Sequence, residues 1–125
     1  MTIEKVLFVD DEPDIRRIGQ LSLERVGKWS VTLVASGFDA IDAIAHERPD
    51  LVILDVMMPE LDGPSTLAKL RAHESTKSIP VIFMTARVQQ HEVERYMRLG
   101  AKGVIRKPFD PLTLPNEIRS IVEGR

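Results

Sequence analysis

The chain has 125 residues, 43% hydrophobic and 29% charged, with a net charge of -2 and no cysteine. That size suits one compact domain with one core, so residues 1–125 are expected to form a single unit with no room for a second. The near-neutral balance and scattered Lys and Arg supply no cationic field for direct nucleic-acid binding, and the lack of cysteine excludes disulfides, thiolate metal sites and a cysteine nucleophile.

In chain order, Lys5–Val9 reads as a first strand, with Asp10 and Asp11 just past its end. Pro13, behind Asp11 and Glu12, opens a helix that should run to about Val26, with Gly27 as its stop. Ser30–Val34 is the second strand, and Ala40, Ala43 and Ile44 follow helical spacing after it. Leu51–Leu54 is the third strand, followed by Asp55 and the turn-rich stretch VMMPELDG; Leu67, Ala68 and Leu70 mark the next helix. Pro80–Met84 is the fourth strand and ends at Thr85. Val93, Tyr96 and Met97 then share a helix that Gly100 should terminate. Gly103–Ile105 is the fifth strand, with Lys107 shortly after. The last helix, from about Leu112 to Val122, puts Leu114, Ile118, Ile121 and Val122 on one stripe. No internal repeat, low-complexity segment or linker interrupts this rhythm.

The runs VLFV, LVIL and VIFM are apolar at successive positions, as strands covered by helices on both faces must be. Strands alternating with helices predict an α/β fold: a flavodoxin-like, doubly wound, five-stranded parallel sheet of order 2-1-3-4-5 with five helices. In such sheets ligands bind outside the carboxyl ends of the strands, where the order reverses. That rule selects Asp10, Asp11, Asp55, Thr85 and Lys107, which four strand ends should bring to one mouth. Three carboxylates brought together repel, and a hard divalent cation relieves the repulsion, so Mg²⁺ is expected, with Mn²⁺ as the alternative. Phosphoryl transfer to a carboxylate needs a positioned nucleophile and cationic clamps on the equatorial oxygens, parts that Asp55, the metal, Lys107 and Thr85 could supply.

Singly, each residue has a plainer role. Asp10, Asp11 and Glu12 suit a helix N-terminus, Asp55 a turn, Thr85 a helix cap and Lys107 a solvated surface. Their joint occurrence at successive strand ends is what points to chemistry. FVDDEP, ILDVMMPELDG, IFMTA and GVIRKPF, taken in order and spacing, resemble the motifs of the receiver domains of bacterial two-component response regulators, of the single-domain, chemotaxis-regulator-like kind.

The resemblance covers the whole chain. It implies that Asp55 is the phosphoacceptor, that Asp10 and Asp11 form the acidic metal pocket, and that the carbonyl of Met57 completes the protein ligands. It also implies that Thr85 is the switch hydroxyl, that Lys107 pairs with the phosphoryl group, and that the Lys107–Pro108 peptide is cis, which only an X-Pro bond accommodates cheaply. One position departs from the pattern. Val104 stands where family members commonly carry Phe or Tyr, so the usual rotation of that ring cannot relay the switch. Met57 and Arg87 fill the variable positions two beyond Asp55 and Thr85.

The expected function is a phosphoacceptor switch of a two-component or phosphorelay system, not an enzyme turning over a substrate. It would take its phosphoryl group from a sensor histidine kinase or histidine phosphotransfer protein and signal to an unknown downstream protein by contact. No DNA-binding unit follows the last helix, although a domain cut from a longer regulator would read the same. The start, MTIEKVLFVDDEP, lacks the basic flank and apolar stretch of a signal peptide, and no apolar run nears the ~20 residues of a membrane span, so the expected location is cytoplasmic, without membrane contact.

Three other readings fare worse. A small-metabolite phosphatase would need a substrate cap and a second acid for the leaving group. A flavodoxin-like cofactor binder would need a phosphate-cradling loop where DDEPD stands. A docking module that never receives a phosphoryl group would not need the full residue set. His46, His73 and His91 are expected on the surface, Trp29 beside the second strand, Met57 and Met58 at the pocket's edge, and Phe109 as core support.

Overall fold

The structure, a computed structural model, describes residues 2–124. Strands β1 (Lys5–Val9), β2 (Ser30–Val34), β3 (Leu51–Asp55), β4 (Val81–Thr85) and β5 (Gly103–Arg106) form one parallel sheet in the order β2-β1-β3-β4-β5. Helices α1 (Pro13–Leu21), α2 (Gly37–Glu47), α3 (Gly63–Arg71), α4 (Gln90–Arg98) and α5 (Leu114–Glu123) link and cover it. The predicted fold and strand order are therefore the observed ones.

Successive strand residues point to opposite faces, so each apolar run feeds two cores. Leu7, Val9, Leu54 and Phe83 pack with Ala40, Ile44, Leu67 and Tyr96 beneath α2, α3 and α4. Val6, Phe8, Ile53 and Ile105 pack with Leu23, Leu114 and Ile118 beneath α1 and α5. Trp29 is buried in this second core, and Phe109 meets Phe8 edge-on with centroids 6.3 Å apart. Both aromatic residues thus take the structural roles expected of them.

Strands β3 and β5 each run one residue further than predicted, to Asp55 and Arg106, and three other boundaries differ. The first helix is α-helical only to Leu21; Ser22–Val26 continue as a π turn that buries Ser22 and Leu23. The Ser22 hydroxyl donates to the Pro111 carbonyl at 2.5 Å, tying that turn to the loop before α5. Strand β4 starts at Val81 because Pro80 has no N–H to give; its carbonyl still accepts from the Val52 amide at 3.0 Å. Helix α5 starts at Leu114, since the Leu112 amide donates to the Asp110 carboxylate (2.9 Å) in a preceding turn.

Candidate functional site

The alternation of the strands positions the site. Asp10 continues the face of Val6 and Phe8, Asp55 that of Leu51 and Ile53, and Lys107 that of Ile105, so all three project on the α1/α5 side of the sheet. Strand pairing runs just far enough to hold them: the Asp10 amide donates to Val34 (3.2 Å), Val56 to Met84 (2.9 Å) and Lys107 to Thr85 (2.9 Å). Lys107 directly follows β5, with β3 and β4 standing between that strand and β1, and its long stem spans the gap. Its ammonium lies 2.9 Å from Asp10 Oδ2 and 3.3 Å from Asp55 Oδ2. Thr85 continues the opposite face, that of Phe83, and its hydroxyl accepts from the Arg87 amide at 3.1 Å.

Asp10, Asp11 and Asp55 bring one carboxylate oxygen each within 4.8 Å of one another. Asp10 is fully buried, Asp55 is 2% exposed and Asp11 is half-buried, which leaves an opening on one side. Burial first, and the Asp10 charge second, push the Asp55 carboxyl up to about 6 against the pull of Lys107 and a hydrogen bond from the Met57 amide. Burial draws the Lys107 ammonium down, but its hydrogen bond to Asp10 and the Asp10 and Asp55 charges outweigh that and leave it raised. Lys107 is thus a fixed cation between two buried acids. The hard-oxygen donor set suits a small divalent cation such as Mg²⁺ or Mn²⁺.

The family model described as the response regulator receiver domain matches residues 6–119. The chain belongs to that family. Response regulator Rre1 of Synechocystis is 39% identical over 117 residues, which cover 94% of this receiver domain and 51% of that protein. Transcriptional regulatory protein CseB of Streptomyces coelicolor is 40% identical over 117 residues, covering 94% of this chain and 48% of that one. The receiver domain spans about half the length of these curated relatives. Among solved structures, chemotaxis response regulator CheY4 of Vibrio cholerae matches with a TM-score of 0.88 at 30% identity, over 96% of this chain and 99% of that one.

The receiver domain therefore gathers Asp10, Asp11, Asp55 and Lys107 at one mouth, while Thr85 stands at the end of the neighbouring strand β4 with its hydroxyl on the Arg87 amide. The Lys107–Pro108 peptide is cis, as the resemblance implies. The Met57 side chain is 71% exposed beside the mouth, whereas Met58 is buried in the core and does not line the edge as expected. His46, His73 and His91 are exposed. Among the described residues no helix is long and apolar enough to cross a membrane.

Four contributors are not singled out as site residues by the sequence, in which Glu12 reads only as an acid at a helix N-terminus. Glu12 makes no side-chain cap to α1; its carboxylate instead sits 3.5 Å from Lys107. Arg16 donates to the Asp10 carbonyl at 2.8 Å and braces the β1–α1 turn; its place one turn into a helix behind the acid pair was the available signal. Gly63 starts α3, where an added Cβ would stand 2.5 Å from the Asp55 carbonyl oxygen, so the β3–α3 loop folds tightly back under the acid. Asp62 fixes that start by accepting from the Ser65 amide at 2.8 Å.

Proposed function

We propose that this receiver domain is a phosphoacceptor switch in which Asp55 accepts a phosphoryl group from a phosphohistidine on a sensor histidine kinase or histidine phosphotransfer protein. The observation that carries the reading is the buried Asp55 carboxylate, bridged to Asp10 through Lys107 and set within metal-sharing distance of Asp10 and Asp11. An Asp55 oxygen attacks phosphorus, the P–N bond of the phosphohistidine breaks, and its electron pair leaves with the imidazole. Lys107 stays beside the phosphoryl oxygens and offsets their charge, and Thr85 donates its hydroxyl to one of them. Mg²⁺ or Mn²⁺, held by Asp10, Asp11, Asp55 and the Met57 carbonyl, would supply further charge neutralisation at the transferring group. The chain promotes its own phosphorylation and slow hydrolysis but acts as a cytoplasmic switch, not a turnover enzyme, and signals by contact with a downstream protein.

Intact mass spectrometry after incubation with acetyl phosphate and Mg²⁺ tests this. One added phosphoryl mass is expected, lost in Asp55→Asn and lost on chelation of the metal. Equal labelling of the Asn variant refutes the assignment.

A further inference from the structure

Helix α2 leads into β3 and α3 into β4, so both helices end at the amino edge of the sheet, away from the acidic mouth. Between those ends two hollows of about 390 Å³ and 440 Å³ meet at Ala45, Ser75 and Thr76. Each lies in the range of about 300–1,000 Å³ typical of small-molecule sites. Their walls are mainly hydrocarbon, from Ile41, Ile44 and Ala45 of α2, Leu70 and Ala72 at the end of α3, and Ile79 before β4. The α3–β4 loop that closes one side is tied down. The Thr76 hydroxyl donates to the Leu70 carbonyl at 2.6 Å, and Arg71 donates to the Ile79 carbonyl at 2.9 Å. The groove is therefore formed before anything enters it, which lowers the cost of binding.

The charge around the groove has one sign. Although the chain has more acidic than basic residues, no carboxylate lines either hollow among the described residues, while Arg48 lines one and Lys69 and His73 the other. None of these three side chains is engaged in a hydrogen bond or ion pair among the described residues. The nearby acids have other partners: Glu74 pairs with Lys77 at 2.9 Å, and Asp42 lies 3.7 Å from His46. Lys69 in the last turn of α3 and Arg48 just past α2 also offset the helix dipoles. That role accounts for the cations but not for the apolar hollows that they border.

We propose that this groove between the ends of α2 and α3 binds a small organic anion with an apolar body, an aliphatic or aryl carboxylate. Its hydrocarbon lies against Ile41, Ala45 and Leu70, and its charged group sits at the rim that Arg48, Lys69 and His73 supply. The ligand bridges two helices at the edge opposite Asp55, so the site stands whether or not Asp55 is a phosphoacceptor.

Titration of ¹⁵N-labelled protein with decanoate, followed by amide resonances, tests this, with decylammonium as the cation of the same chain. Decanoate should give saturable shifts concentrated at Ala45, Arg48, Leu70, Ser75 and Thr76, and decylammonium should not. Arg48→Gln with Lys69→Gln should weaken decanoate binding roughly tenfold, the strength of two exposed ion pairs. Ala45→Glu, which sets a carboxylate into the groove from an exposed helix position, should abolish it. Acetyl phosphate labelling at the parental rate in both variants shows that they are folded. Equal shifts from the two ligands, shifts scattered over the surface, or parental affinity in the double variant each overturn the anion site. A groove that ignores decanoate but takes a helical Leu/Glu peptide serves a protein partner, and the small-ligand assignment falls.

Discussion

To act as the proposed nucleophile Asp55 must be ionised, yet its surroundings favour the protonated form. Burial and the Asp10 charge lift its carboxyl from 3.8 to about 6. Between those values the folded chain keeps a proton that the unfolded chain has lost. The group's stabilising contribution is therefore full below the unfolded value and is lost as pH rises through about 6. At ~1.4 kcal/mol per unit, the cost at neutral pH reaches about 3 kcal/mol in metal-free protein. Asp55→Asn should accordingly be more stable than the parent near neutral pH in chelator, with the gap closing as the pH is lowered through this window. Urea unfolding across the range measures it, and a gap that stays constant with pH shows that Asp55 is not strained.

In the proposed switch, Met57 and Arg87 are expected to bear on how long the phosphorylated form lasts. Both are exposed and lie just past the ends of β3 and β4, the variable positions that, by the family resemblance, would flank water's approach to phosphorus. Methionine cannot orient a water, and a guanidinium pairs with phosphoryl oxygens. Met57→Asn with Arg87→Glu should speed loss of the phosphoryl group by roughly tenfold, a barrier change of about 1.4 kcal/mol. Decay followed by intact mass at fixed Mg²⁺ checks this, and unchanged decay places control of the lifetime elsewhere.

At the scale of elements, the turn from β3 into α3 packs directly against the backbone of the proposed nucleophile. Gly63 donates its amide to the Val56 carbonyl at 2.9 Å and lies against the Asp55 backbone. A methyl group there would overlap the Asp55 carbonyl oxygen and the Val56 Cα, both backbone atoms that cannot swing aside. Gly63→Ala should cost on the order of 1–3 kcal/mol and slow labelling by acetyl phosphate, since α3 can make room only by shifting the strand end. Denaturation midpoint and labelling rate are both read on the same variant. A variant with parental stability and rate would mean that α3 yields without moving Asp55. The π turn after α1 is a second local device, and it acts through Ser22 on the loop that leads from Lys107 to α5.

Over the whole molecule, the two edges of the sheet have separate tasks. The carboxyl edge carries the acids and Lys107, while at the amino edge Arg119 of α5 stacks on Trp29 at 4.5 Å and donates to the Gly27 carbonyl at 2.7 Å. Arg119→Ala should lower stability by about 1–3 kcal/mol and alter the fluorescence of the only tryptophan. Labelling of Asp55 should proceed at the parental rate. Slower labelling would show that the two edges are coupled.

Strand positions and the fold class were legible in residues 5–105 because a sheet covered on both faces needs continuous apolar runs, and those runs are local in sequence. The strand order followed from a general rule of doubly wound folds, and the acids, Thr85 and Lys107 from their places at strand ends. Other features depend on contacts between distant segments. The π turn answers to Pro111, 89 residues from Ser22, and the close fit of Gly63 depends on how α3 leaves the sheet. The sharing of Lys107 among Asp10, Glu12 and Asp55 spans strands that are not neighbours. The pairing of Tyr96 with Phe83 depends on how α4 packs over β4. Periodicity and residue chemistry decided which elements form and which groups stand at their ends. Packing alone decided which of those groups touch, because that depends on side-chain reach and helix placement over many residues of separation.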